Sequence, residues 1–100
     1  MERRAQPRVT NAFHARVWAV DAAGEPFSVE CPIDNMSAIG LYLRMPHEMK
    51  AGSEISLAVW ISSGPANDPV SGLRGLVLRT EPQPDESYGI AVIIKHREIF

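Results

Sequence analysis

Apolar and polar side chains alternate along much of this chain with a period of two, which places successive side chains on opposite faces of a β-strand. The clearest case is segment 26–33, PFSVECPI, in which Phe27, Val29, Cys31 and Ile33 share one face. The same alternation predicts strands in GLYLRM, EISLAVWIS and YGIAVIIK. Two further runs, FHARVWAVD and LRGLVLRTE, alternate less cleanly, as strands do where a sheet bends or is covered on both sides. The pattern therefore predicts six strands.

The segments between these strands are rich in residues that form turns. DAAGEP, SSGPANDPVSG and EPQPDES hold glycine, proline, asparagine and aspartate, whose backbone preferences suit tight connections. PHEMKAGSE is the only helix candidate, with at most one turn ended by Gly52. Short strands separated in this way favour a small antiparallel barrel, which closes on itself and so leaves no free edge. We predict an all-β fold, a six-stranded antiparallel β-barrel with little or no C-terminal helix.

Length and composition are those of one folded domain. A chain of 100 residues with 45% hydrophobic and 22% charged residues can bury one core and has no room for a second. No apolar run approaches the roughly 20 residues that span a bilayer, and the N-terminus lacks the apolar stretch of a signal peptide. Cys31 is the only cysteine, so an intrachain disulfide is impossible. We expect a cytoplasmic protein with no membrane insertion.

Charge is distributed unevenly, and the opening segment RRAQPR is its most basic part. In residues 1–16 four arginines stand against one glutamate, a net charge of +3, which leaves −5 for the remainder of a chain whose total is −2. A positive segment on an acidic body indicates a local anion site and argues against a surface that follows a long nucleic-acid backbone.

The link IDNMSAIGL between the second and third strands is the other informative stretch. Asn35 and Ser37 carry short polar side chains that either stabilise a turn or point outward to a ligand. Gly40, where the third strand begins, permits a positive φ or a close backbone approach. Polar turns that end in glycine are common in β proteins, so this link by itself indicates only a turn.

The two stretches together resemble a known family. Arg4 and Arg8 form R-x-x-x-R before the first strand, and Asn35, Ser37 and Gly40 form [D/N]-x-S-x-x-G before the third. With GLVLR at 75–79 and the closing YGIAV, the chain resembles the PilZ family of cyclic di-GMP receptors over nearly its whole length. The resemblance implies a flexible arginine segment over residues 1–12 and a PilZ-like barrel over residues 13–100.

What the resemblance implies is binding of the bacterial second messenger cyclic di-GMP. Arg4 and Arg8 would take the phosphates and guanines, because a guanidinium can bind either group bidentately and can also stack on a base. Asn35, Ser37 and Gly40 would hold the other base edge from the barrel surface. Further candidates are Arg3, Asp34 and Arg79. Arg3 can equally be a solvated charge, and Arg79 a charge at the edge of a strand.

Two departures from the family bear on this expectation. The family more often has aspartate at the position of Asn35, so a neutral hydrogen bond replaces a charge-assisted one and weakens binding by about 1 kcal/mol. The C-terminal helix of many members is missing or reduced to KHREIF, which favours self-association, such as a homodimer, or docking to a partner. With no output module in the sequence, we expect the protein to signal through an unidentified effector protein.

Other functions have weaker support in the sequence. The three histidines and Cys31 lack the spacing of metal ligands, and the scattered carboxylates do not indicate an enzyme, so we expect no metal, no cofactor and no catalysis. Trp18 and Trp60 suit packing better than a base-stacking platform. Two alternatives stay open: a PilZ-like interaction module that has lost the ligand, for example in type IV pilus or motility machinery, and a barrel that binds single-stranded nucleic acid.

Overall fold

The computed structural model describes residues 13–62 and 68–100, and nearly all of them lie in strands or in the turns that connect strands. The six strands are β1 (Phe13–Val20), β2 (Pro26–Met36), β3 (Gly40–Met45), β4 (Glu54–Ile61), β5 (Ser71–Pro82) and β6 (Tyr88–Ile99). The described part of the chain contains no helix, and so none that is long and apolar enough to cross a membrane.

The strands form one closed antiparallel barrel in the order β1-β2-β3-β6-β5-β4. β1 closes it by pairing with β2 on one side and β4 on the other, so Phe13 lies opposite both Ile33 and Ile61. Because neighbouring strands are antiparallel, the start of β1, the β2–β3 turn and the end of β6 all lie at the same end of the barrel. The predicted six-stranded antiparallel barrel is confirmed.

The interior of the barrel is filled by the inward face of every strand. Among the described residues no polar or charged side chain is buried, and the core consists of Ala15, Val17, Cys31, Ile33, Leu41, Leu43, Met45, Met49, Ile55, Leu57, Val59, Leu73, Val77, Ile90, Ala91 and Val92. The alternation in β2, β3 and β4 therefore predicted the core face correctly. The exception is Ile61, which lies at the end of β4 and is 42% exposed.

The thiol of Cys31 lies in this core. Burial, with a smaller contribution from the charge of Asp34, raises the pKa of Cys31 to about 11. The thiol is therefore protonated at neutral pH and behaves as a small apolar side chain.

β2 is longer than the alternation predicted. The sequence suggested a strand that ends at Ile33, but β2 continues to Met36 through a bulge between Ile33 and Asn35. The extra residue in the bulge interrupts the period of two, which is why the pattern stops before the strand does. Asn35 is consequently part of the sheet and lies opposite Tyr42 on β3.

The helix candidate PHEMKAGSE is not helical. It crosses the end of the barrel in bends and a turn, in which the amide of Ser53 donates to the carbonyl of Lys50 at 3.1 Å. Met49 in this segment is 2% exposed, and its carbonyl accepts a 2.6 Å hydrogen bond from the hydroxyl of Thr80. Core contact and hydrogen bonds to β5 thus replace the intrahelical bonds that one short turn would make.

Residues 95–99 belong to β6, so the C-terminal segment KHREIF is mainly strand. This confirms the prediction of little or no C-terminal helix for the described residues.

Candidate ligand-binding face

The β2–β3 turn is a tight hairpin organised by Ser37. The amide of Ser37 donates to the carbonyl of Gly40 at 2.9 Å, and its hydroxyl accepts hydrogen bonds from the amides of Ile39 and Gly40 at 3.4 and 3.3 Å. Arg97 on β6 donates to the carbonyls of Ser37 and Ala38, both at 3.3 Å. Ser37 is exposed, yet its hydroxyl already stabilises the turn.

Gly40 is required by the contact between β3 and β6. A Cβ at this position would lie 2.9 Å from the carbonyl oxygen of Val92, closer than a side chain can approach a backbone atom. The amide of Ile94 also donates to the carbonyl of Ile39 at 2.8 Å, which ties the turn to β6. The expectation that Gly40 permits a close backbone approach is confirmed. The backbone that approaches it is that of Val92 on β6, a neighbouring strand of the same barrel.

Asn35 and Asp34 lie at the bulge with their side chains exposed or partly so. Asp34 forms a bidentate ion pair with Arg44 on β3, with Nε to Oδ2 at 2.6 Å and a second guanidinium nitrogen to Oδ1 at 3.2 Å. This hydrogen bond and the charge of Asp34 raise the pKa of Arg44 further. Asp34 is therefore engaged by Arg44, whereas Asn35 is the exposed polar side chain beside the turn.

Arg79 lies on β5 and contacts Glu81. Its Nε donates to Oε2 of Glu81 at 2.6 Å, and the other carboxylate oxygen accepts a 2.7 Å bond from the hydroxyl of Tyr42. These two bonds lower the pKa of Glu81, because both stabilise the charged carboxylate. The bond to Glu81 raises the pKa of Tyr42, because the phenol proton is held between the two oxygens.

The outer face of the barrel across β2, β3, β6 and β5 thus carries a set of polar and aromatic side chains. The sequence prediction included three of its members, Asn35, Asp34 and Arg79, and missed Tyr42, Arg44, Glu81 and Arg97. Tyr42 and Arg44 could have been found from the alternation of β3, since they occupy its outward positions between Leu41, Leu43 and Met45. Arg97 and Glu81 depend on contacts between distant strands, which the alternation does not reveal.

The predicted arginine ligands Arg3, Arg4 and Arg8 lie outside the described residues. The structure does locate the point where their segment joins the barrel. Phe13, the first residue of β1, pairs with Ile33, two residues before Asn35.

The tryptophans and histidines lie at separate places on the barrel. Trp60 stacks on His14 with ring centroids 5.6 Å apart and planes 6° from parallel, and Phe27 stacks on His47 at 4.1 Å. Trp18 is 46% exposed on β1. Within the described ranges, no three His, Cys, Asp or Glu side chains come together as a metal ion would require.

Comparison with known proteins identifies the fold but no family. No family model matches the chain, and no curated protein matches it. Among solved structures, a chain described as an F420 reductase superposes with a TM-score of 0.56 and 11% sequence identity, covering 93% of this chain and 98% of that one. At this identity the likeness extends to the barrel fold alone.

Proposed function

We propose that this chain binds cyclic di-GMP and acts, without catalysis of its own, as a PilZ-like receptor or adaptor that passes the signal to a protein partner. The pairing of Phe13 with Ile33 supports this most directly, because the R-x-x-x-R motif ends five residues before Phe13 in the sequence and Ile33 lies two residues before Asn35. The proposal places the protein in the bacterial cytoplasm, where this messenger acts.

The reach of the arginine segment is compatible with a shared site. Arg8 precedes Phe13 by five residues, which span at most about 18 Å when extended. Phe13 pairs with Ile33 on the neighbouring strand β2, and Ile33 lies two residues before Asn35 on that strand. A dinucleotide on the outer face near the turn is therefore within reach of a guanidinium on that segment.

The division of roles follows from the chemistry of the groups. Cyclic di-GMP offers two phosphates and two guanines, and an arginine can pair with a phosphate or with the O6 and N7 edge of guanine. Asn35 offers one carbonyl and one amide group to a base edge. Ser37 stabilises the turn that follows Asn35, and Gly40 keeps that turn against β6.

The test is calorimetric titration of the purified chain with cyclic di-GMP, with GTP and a short RNA as control ligands. We expect Arg8→Ala to weaken binding by about 10-fold or more, since one charge-assisted hydrogen bond contributes about 1.5–3 kcal/mol. Lys50→Ala is the matched control. It removes the same charge from the connection between β3 and β4, at the opposite end of the barrel, and should leave the affinity unchanged.

Two results would contradict the proposal. No heat with about 100 μM cyclic di-GMP, a concentration at which micromolar binding is saturating, would favour an interaction module without the ligand. A salt-dependent signal with RNA in its place would favour the nucleic-acid alternative.

A further inference from the structure

The side chain of Tyr42 lies across the outer face of β6 instead of pointing away from the sheet. Its phenol end occupies the space directly above Gly89, where any Cβ would collide with the ring and its hydroxyl. Gly89 is buried as a result, and Tyr42 remains partly exposed. The ring therefore covers Gly89 and keeps part of its surface accessible to solvent.

Hydrogen bonds at the far side of β6 hold the ring in this position. The hydroxyl of Tyr42 donates to Glu81 on β5 at 2.7 Å, and Arg79 holds the same carboxylate at 2.6 Å. The side-chain amide of Gln83 lies 3.4 Å from the phenol oxygen. A ring fixed before binding loses little conformational entropy when a ligand stacks on it.

Polar groups that suit a nucleotide surround the ring. Asn35 is the cross-strand partner of Tyr42, and such partners have Cβ atoms about 4.5–5.5 Å apart. Arg44 follows two residues later on the same face of β3, and Arg79 lies beyond β6. An aromatic ring with an amide on one side and guanidinium groups nearby has the components of a base-stacking site.

We propose that Tyr42 is the stacking platform for one guanine of cyclic di-GMP, with Asn35 contacting the edge of the same base. This inference rests on the proposed function and adds a specificity-determining residue that the R-x-x-x-R and [D/N]-x-S-x-x-G motifs do not contain. Glu81 and Arg79 act as positioning residues, since they orient the ring and need not touch the base.

The experiment compares Tyr42→Leu and Tyr42→Phe with the unchanged chain in calorimetric titrations with cyclic di-GMP. Loss of one base-stacking contact is expected to weaken binding by about 5- to 150-fold in Tyr42→Leu. Tyr42→Phe retains the ring and loses only the hydroxyl, with its bonds to Glu81 and Gln83, so the affinity should fall by less than about threefold. Trp18→Leu removes an exposed aromatic ring from β1 and serves as the matched control with unchanged affinity.

A second measurement is made on the unchanged chain and on Tyr42→Phe, and so does not depend on whether Tyr42→Leu folds. In ¹H NMR of the complex, the H8 proton of one guanine should shift upfield through the ring current of Tyr42, and this shift should persist in Tyr42→Phe.

The outcomes separate this inference from the proposed function. If the unchanged chain binds cyclic di-GMP but a folded Tyr42→Leu binds equally well, or if neither H8 proton shifts, the stacking role is wrong while the proposed function stands. If the unchanged chain does not bind the dinucleotide, both are wrong.

Discussion

Glu81 shows how one side chain can organise its neighbours. Its two carboxylate oxygens accept bonds from Arg79 and Tyr42, so a single charge connects the predicted ligand neighbour Arg79 to the ring beside Asn35. All three side chains are at least partly accessible to water, and the interaction is therefore expected to matter more for orientation than for stability.

Acid should loosen this contact. The bonds from Arg79 and Tyr42 lower the pKa of Glu81 in the fold, so their stabilising effect is complete above the unfolded value of about 4.3 and is lost as the pH falls through the folded value. We expect Glu81→Gln to have a lower free energy of unfolding than the unchanged chain at pH 7. The difference should shrink below about pH 4.

Urea unfolding of both proteins between pH 7 and pH 3 measures this difference. The explanation would be contradicted by a gap that stays constant over that range, because the carboxylate charge would then have no part in it. Glu98→Gln on the exposed end of β6 is the control, and it should show a small and nearly constant difference.

At the scale of elements, the β2–β3 hairpin combines a structural role with the candidate binding role. The bulge at Asp34 and the turn at Ser37 bring Asn35 to the surface, and Gly40 holds β3 against β6. The [D/N]-x-S-x-x-G pattern was predicted from the sequence as a turn with a candidate ligand role. The structure accounts for Ser37 through the bonds within the turn and for Gly40 through the close contact with β6, which leaves Asn35 as the member whose side chain is available to a ligand.

Gly40→Ala should destabilise the barrel. The added Cβ would meet the carbonyl of Val92 at 2.9 Å, and because backbone cannot rotate away, β3 and β6 must separate. Overpacking of this kind costs about 1–3 kcal/mol, which thermal or urea unfolding would detect. Gly72→Ala is the control: its added Cβ would meet the flexible ring of Phe100 at 3.1 Å, which can move aside.

An equal decrease in the free energy of unfolding of Gly40→Ala and Gly72→Ala would contradict this account. The contact with the rigid carbonyl of Val92 would then cost no more than the contact with the movable ring of Phe100.

At the scale of the whole molecule, closure of the barrel makes Cys31 a reporter of global unfolding. The thiol is 5% exposed, and its pKa is raised to about 11, so the reactive thiolate is scarce in the folded state at pH 8. With every strand paired on both sides over part of its length, reagent should reach Cys31 only when the barrel opens.

Alkylation of Cys31 by iodoacetamide at pH 8 should therefore be slow in the native protein and fast in denaturant. Leu43→Ala removes a fully buried side chain, a change that costs about 2–5 kcal/mol, and should accelerate alkylation by about 30-fold or more. Leu78→Ala makes the same substitution at a position that is 54% exposed and should leave the rate close to that of the unchanged chain. Fast alkylation of the native, unchanged protein would show that Cys31 is accessible without unfolding.

The alternation of apolar residues and the turn residues between strands were sufficient to predict six strands, the inward faces of β2, β3, β4 and β6, and the antiparallel barrel, because both are local properties of the sequence. It was less informative where strands continue through irregular geometry. The bulge that extends β2 to Met36, the nonhelical path of residues 46–53 and the continuation of β6 to Ile99 all depend on hydrogen bonds from other strands.

The candidate face likewise combines residues that a local sequence motif predicted with contacts that only the tertiary structure shows. From the sequence alone, Asn35, Ser37 and Gly40 were recognised as a motif and the arginines at 4 and 8 as its counterpart. Tertiary structure decided that Phe13 pairs with Ile33, that Ser37 is occupied by its own turn, and that Tyr42 lies on Gly89 within reach of Glu81. Apart from the local turn at Ser37, these contacts join residues from different strands, up to about half the chain apart. Only folding into the barrel brings such residues together.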